Sequence, residues 1–177
     1  MCGFITLWNK SGCRPAVDLN TITETFRHRG PDDYGSMFLG SAALAFRRLK
    51  IIDLSPRGRQ PMLNEDGMLA LVFNGEIYNY LPLREQLLRK GHVFRSESDS
   101  EVILHLYEEE GEACVGRLRG MFAFCIYDGR KKQLFGARDR FGIKPLFYTE
   151  TEEMFALASE AKAFTRLPSF HSRINEA

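Results

Sequence analysis

The sequence predicts an α+β domain in which sheet packs on sheet and helices lie outside. Strand-like segments outnumber helical ones, and they cluster before and after a central helical block instead of alternating with helices. The hydrophobic fraction is 44%, with 14 Phe, which supplies a substantial core. At 177 residues the chain has the length of one domain, or of one domain with a tail.

Each element has a local reason. Residues 4–8 read as a buried strand closed by the Asn9-Lys10-Ser11-Gly12 turn. Val17, Leu19, Ile22 and Phe26 have helical spacing, and the helix ends near Arg27, before Gly30-Pro31. Residues 41–49 are strand-like, with Ala42, Leu44 and Phe46 on one face, and 54–66 is a loop rich in Pro, Gly and charge. The apolar run 68–73 is a central strand. Leu81, Leu83, Leu87 and Leu88 mark a helix stopped by Gly91. Ser98 and Glu101 have capping-box spacing and open a helix running to about Gly111. Residues 121–127 and 133–138 are strands joined around Asp128-Gly129. Short strands follow near 146–148 and 154–158, then a short helix near Ser159.

Charge and motifs exclude several function classes. Lys+Arg is 24 and Asp+Glu is 23, so a net charge of +1 gives no general attraction to nucleic acid or anionic membrane. No apolar run approaches the roughly 20 residues that span a bilayer. The N-terminus lacks the basic start and apolar length of a secretory signal, so the expected location is the cytoplasm, with reduced thiols. No GxxxxGK[ST] or GxGxxG motif is present, and the cysteines form neither CxxC nor a zinc-finger spacing, so neither a nucleotide site nor a metal site is expected. Cys114 and Cys125 sit in apolar contexts as buried small hydrophobes, and Cys13 lies in a turn.

Four places could carry chemistry. Cys2 becomes the first residue if Met1 is removed, and an α-amine with a pKa of about 7.7–8.0 can then act as base for its own thiol; otherwise position 2 holds an arbitrary small residue. Asn74-Gly75 follows the 68–73 strand and offers two neutral donors suited to an oxyanion, yet the pair taken alone favours a plain turn. Arg47 and Arg48 point to opposite strand faces, so at most one can clamp a carboxylate in a given pocket. Asp99 at a helix start either caps the helix or faces a substrate ammonium. The four histidines show no triad pattern, and Glu108-Glu109-Glu110 reads as a solvated face.

The order of motifs is more specific than any one of them: Met1-Cys2-Gly3, Arg27-His28-Arg29-Gly30-Pro31-Asp32, Arg48-Leu49-Lys50-Ile51-Ile52-Asp53, Gln60-Pro61-Met62, Asn74-Gly75-Glu76-Ile77-Tyr78-Asn79, Ser98-Asp99-Ser100-Glu101, Gly120-Met121-Phe122-Ala123-Phe124 and Arg138-Asp139-Arg140-Phe141-Gly142-Ile143-Lys144-Pro145-Leu146. This series resembles the glutaminase domain of glutamine-hydrolysing asparagine synthetases, from Cys2 to about Phe164. The resemblance implies a four-layer αββα sandwich of the N-terminal-nucleophile hydrolase type. It implies hydrolysis of glutamine to glutamate and ammonia through a Cys2 thioester, with Asn74 and Gly75 as the oxyanion hole. Arg48, with backbone near Ile52, matches the group that holds the substrate α-carboxylate, and Glu76 and Asp99 match those that hold the α-ammonium. The Arg27–Asp32 and Arg138–Pro145 stretches are read as supports of the pocket or of a domain interface.

The resemblance also implies a domain at 1–164, with 165–177 a linker or the start of a further domain. Its partners are glutamine, a synthetase domain or chain that receives the ammonia and, as a possible assembly, a homodimer. No cofactor is expected here; ATP and Mg belong to the synthetase domain. Aspartate is the default ammonia acceptor. Another carboxylate such as a sugar acid, or a non-catalytic binding module of the same fold, are the alternatives.

Overall fold

The computed structural model describes residues 1–168 and 170–172. Its strands are β1 (Gly3–Asn9), β2 (Asp33–Leu39), β3 (Ala42–Arg48), β4 (Met62–Leu63), β5 (Leu69–Ile77), β6 (Gly120–Asp128), β7 (Gln133–Arg138), β8 (Phe147–Glu150) and β9 (Met154–Ala158). Its α-helices are α1 (Leu19–Glu24), α2 (Tyr80–Arg89) and α3 (Glu101–Glu110). One sheet has the order β2-β3-β1-β9-β8 and the other β4-β5-β6-β7, with every ladder antiparallel.

Three apolar cores define four layers. Phe4, Leu44 and Phe46 of the first sheet meet Ala70, Val72, Ala123 and Cys125 of the second between the sheets. Alternation sends Ile5, Leu7, Ala43 and Ala45 to the opposite face, where they pack on Leu19, Ile22 and Phe26. On the far side, Leu71, Phe73, Phe124 and Ile126 pack on Leu83, Leu87, Ile103 and Leu106 of α2 and α3. The result is the αββα sandwich the resemblance implied. Because β1 is central, with β3 and β9 on either side, its first residues are held rigidly at one end of the sandwich.

Several local expectations are corrected. Asn74-Gly75 is not a turn: β5 runs through it to Ile77, because β6 continues alongside as far as Gly120. The capping box does not form. Glu101 instead accepts the Arg95 and Ser96 N–H groups, both at 2.8 Å, and Ser98 Oγ accepts the Ser100 N–H at 3.3 Å. α1 stops at Glu24, and Arg27–Arg29 is a separate 3₁₀ turn. The helix expected near Ser159 is a 3₁₀ segment, Ala161–Arg166. β2 and β4 had no counterpart in the sequence reading. Leu167 is buried and Phe170 packs on the same core, while residues 169 and 173–177 of the expected linker lie outside the described residues. Among the described residues, no helix is long and apolar enough to cross a membrane.

Candidate active site

One pocket gathers six of the seven predicted site residues: Cys2, Arg48, Ile52, Gly75, Glu76 and Asp99. They come from the residue just before β1, the end of β3 and the loop after it, the second half of β5, and the segment that leads into α3. The seventh, Asn74, is not among the lining residues; it pairs with Ala123 on the inter-sheet face of β5, next to Gly75.

Cys2 Sγ accepts the Leu49 N–H at 3.3 Å and lies 3.5 Å from the Leu49 carbonyl. Burial pushes its pKa up, while the Leu49 N–H, the N-terminal ammonium and Arg48 pull it back. Arg29 Nε donates to the Cys2 carbonyl at 2.9 Å, and Arg29 itself is held by Glu160 at 3.2 Å. The Arg27–Asp32 motif thus anchors the start of β1. Gly30 is required for this fit, since a Cβ there would lie 2.3 Å from the Arg47 carbonyl carbon. His28 is exposed, bonds Glu160 at 2.8 Å and does not line the pocket.

The two arginines of β3 part as alternation requires. Arg47 pairs with Glu24 of α1 and stacks over Tyr34. Arg48, only 6% exposed, turns into the pocket. Its guanidinium donates to the Ser55 carbonyl at 2.8 Å and to the Asp53 carbonyl. Among the described residues no carboxylate oxygen lies within 4.0 Å of it, so its charge has neutral partners only.

Residues without a role in the sequence reading shape this wall. Asp53 accepts the Ser55 N–H at 2.8 Å and the Glu97 N–H at 3.0 Å, joining the loop after β3 to the segment before α3. Burial alone would raise its pKa; the Ser55 and Glu97 donors and Arg48 outweigh that and hold it low. Gly58 lies against Arg48, where a Cβ would sit 2.2 Å from Nη2. Gln60 Oε1 accepts the Phe73 N–H at 2.6 Å. Asp53 and Gln60 do fall inside the motif series, which was the available signal.

The geometry of β5 explains how Asn74 and Gly75 are presented. Met68 and Tyr78 bond β6 through the backbone, so the even-numbered residues between them face that ladder. The odd-numbered N–H groups point away from β6. Past the two-residue β4, that edge has no strand neighbour among the described residues. The Phe73 N–H is taken by Gln60 and the Ile77 N–H by Asp99 Oδ2, at 2.8 Å. The Gly75 N–H lies between them on the pocket side. The glycine itself is demanded by β6, because a Cβ would approach the Met121 carbonyl oxygen to 2.3 Å. Asn74 follows Ala70 and Val72 on the inter-sheet face, is 1% exposed, and its Nδ2 has no hydrogen-bond partner among the described residues. A buried amide donor left free is costly and points to an acceptor supplied from outside.

Asp99 is 4% exposed. Burial, with Glu76 as a lesser contributor, pushes its carboxyl up to about 6, against the opposing pull of the Ile77 N–H. Glu76 is exposed at the pocket mouth. Beside the site, Asp139 accepts N–H groups from Phe122, Phe141, Ile143 and Lys144 at 2.9–3.2 Å. These bonds outweigh the effect of its burial, hold its pKa low and fold the Arg138–Pro145 motif into a tight loop against β6.

A family model described as a glutamine amidotransferase domain matches residues 1–177. The chain is 43% identical over 167 residues to asparagine synthetase [glutamine-hydrolyzing] 1 of Bacillus subtilis, covering 92% of this chain and 26% of that protein. It is 44% identical over 158 residues to asparagine synthetase [glutamine-hydrolyzing] 3 of Arabidopsis thaliana, covering 85% of this chain and 27% of that protein. It thus spans only about a quarter of these relatives' length. The structure resembles that of a glutamine phosphoribosylpyrophosphate amidotransferase from B. subtilis, with a TM-score of 0.77 and 22% identity over 94% of this chain and 43% of that one. That likeness supports the sandwich of two sheets flanked by helices as the fold. The chain belongs to the glutamine amidotransferase domain family.

Proposed function

We propose that this domain hydrolyses glutamine to glutamate and ammonia, and that the ammonia feeds an ATP-dependent synthetase domain whose default acceptor is aspartate. The observation that carries the reading is the pairing of Cys2 and Arg48. A thiol and a buried guanidinium with no carboxylate partner open onto one pocket, as an amino-acid substrate with a reactive far end requires. The asparagine-synthetase names of the relatives support the same substrate and the same use of ammonia.

In this reading Arg48 and the Ile52 backbone hold the α-carboxylate, and Asp99 with Glu76 holds the α-ammonium. The zwitterion then pairs both buried charges. With Met1 removed, the neutral Cys2 α-amine takes the thiol proton, and the thiolate attacks the γ-amide carbon. The carbonyl oxygen becomes an oxyanion bound by Asn74 Nδ2 and the Gly75 N–H. Collapse breaks the C–N bond, the Cys2 α-ammonium returns the thiol's proton to the leaving nitrogen, and ammonia departs. Water then cleaves the γ-glutamyl thioester and regenerates the thiol.

The test is glutamate release from glutamine by protein of confirmed mass, beside Cys2→Ala. Release by the native chain and none by the variant supports the reading. Equal release by both refutes it.

A further inference from the structure

We propose that Glu65, His92, His105 and Glu108, the first exposed and the third buried, form a four-ligand site for a divalent cation of the zinc class, on the helical layer and separate from the Cys2 pocket. Glu65 lies in the turn between β4 and β5, and His92 in the connection from α2 to α3. His105 and Glu108 are one turn apart on α3, so they share a face. None of the four lines the Cys2 pocket.

Four donor atoms converge. His92 Nδ1 is 3.9 Å from Glu65 Oε1 and 3.6 Å from Glu108 Oε2. His105 Nδ1 is 3.6 Å from Glu65 Oε1 and 2.9 Å from Glu108 Oε2. All four lie within 4.8 Å of one another. A tetrahedral ion with bonds of about 2.0–2.1 Å sets its ligands about 3.3 Å apart, so modest side-chain shifts complete the tetrahedron. Two imidazoles and two carboxylates suit zinc or cobalt.

The outer contacts match those that orient metal ligands. His92 Nε2 meets Glu109 Oε1 at 3.1 Å, and Glu108 Oε1 accepts from Asn64 Nδ2 at 2.6 Å. His105 is independent evidence. It is 1% exposed, and among the described residues its Nε2 has no hydrogen-bond partner, although Glu101 Oε1 lies 3.9 Å away. A cation on Nδ1 puts the ring proton on Nε2 and makes that atom a donor facing the carboxylate. A neutral ring donating from Nδ1 to Glu108 would instead leave a buried lone pair facing it. The rival explanation is a metal-free imidazolium between Glu101 and Glu108.

A bound cation would pin the β4–β5 turn and the α2–α3 connection onto α3. It fills its coordination with protein, so its role is structural. The experiment adds zinc to chelator-treated protein and follows thermal unfolding and calorimetric stoichiometry, with cobalt absorption as a second readout. A Cys2→Ser variant removes the pocket thiol as a competing ligand. The expected results are one zinc per chain, a higher unfolding temperature, and a tetrahedral cobalt spectrum without a thiolate band, all retained in Cys2→Ser. Both His92→Gln and Glu65→Gln should lose the zinc-dependent stabilisation while unfolding near the metal-free native temperature. Absence of stabilisation by zinc, stabilisation undiminished in both ligand variants, or its loss in Cys2→Ser would each overturn the proposal.

Discussion

Asp99 Oδ2 accepts the Ile77 N–H at 2.8 Å, which fixes a buried carboxylate beside the free edge of β5, two residues beyond the Gly75 N–H. The arrangement costs stability when the pocket is empty. The Asp99 carboxyl is pushed up to about 6, first by burial and then by Glu76, whereas the ordinary value is 3.8. The folded state therefore binds this proton more tightly than the unfolded one. The associated stability is present below the unfolded value and is lost as pH rises through about 6. Asp99→Asn should raise the unfolding temperature near neutral pH, with the gain shrinking in acid, and should raise KM for glutamine by about tenfold or more. In the native chain kcat/KM should fall more steeply below about pH 6; in the variant that added steepness should vanish. Thermal melts and pH–rate profiles of the two proteins check both statements.

Arg48 should act in binding. Arg48→Ala leaves a substrate carboxylate buried without its partner, a loss of about 3–5 kcal/mol in kcat/KM, expressed mainly as a higher KM. Gly58→Ala is the gentler test, because its new Cβ would displace Nη2 from 2.2 Å without removing the charge. It should raise KM and leave kcat nearly unchanged. Steady-state kinetics on both variants separate the two parameters.

Asn74 should act on the transition state. Asn74→Ala removes the donor whose Nδ2 is buried without a partner, so kcat should fall by roughly 10²–10³. The apo domain should lose little stability, since no hydrogen bond to Nδ2 is broken on substitution. A change confined to KM would move Asn74 from the oxyanion to substrate binding.

Asp139 should matter for folding. Its carboxylate satisfies four backbone N–H groups, from Phe122, Phe141, Ile143 and Lys144. Asp139→Ala leaves these donors without their acceptor and should cost about 3 kcal/mol, read in a denaturant titration. Its low pKa gives the opposite pH sign to Asp99: the stabilisation is present above the ordinary carboxylate value and is lost as pH falls through the folded one.

The legible parts of the fold were those with strong patterning. β1, β6, β9 and the first part of β5 are apolar runs buried in the sheets, and those runs mark their positions. β2 was missed because it is an edge strand with no fully buried residue, so it shows no clear alternation. β4 has only two residues. Asn74-Gly75 has the composition of a turn, and only the partner strand, remote in sequence, keeps it extended. The site showed the same division. Cys2, Arg48 and Asp99 stood out by chemical type and neighbourhood. Asp53, Gly58 and Gln60 did not, because their roles consist of contacts with other parts of the wall. The Glu65, His92, His105 and Glu108 group has no motif spacing and exists only once α3 packs beside the β4–β5 turn.

The decisive measurement compares glutamate release by two preparations of the same chain, one with Met1 removed and one retaining it or carrying a tag ahead of Cys2. If the Cys2 α-amine is the base, only the preparation with a free Cys2 amine turns over, and its Cys2→Ala counterpart is inactive. Equal turnover with the amine blocked would contradict that chemistry and require another base in the pocket.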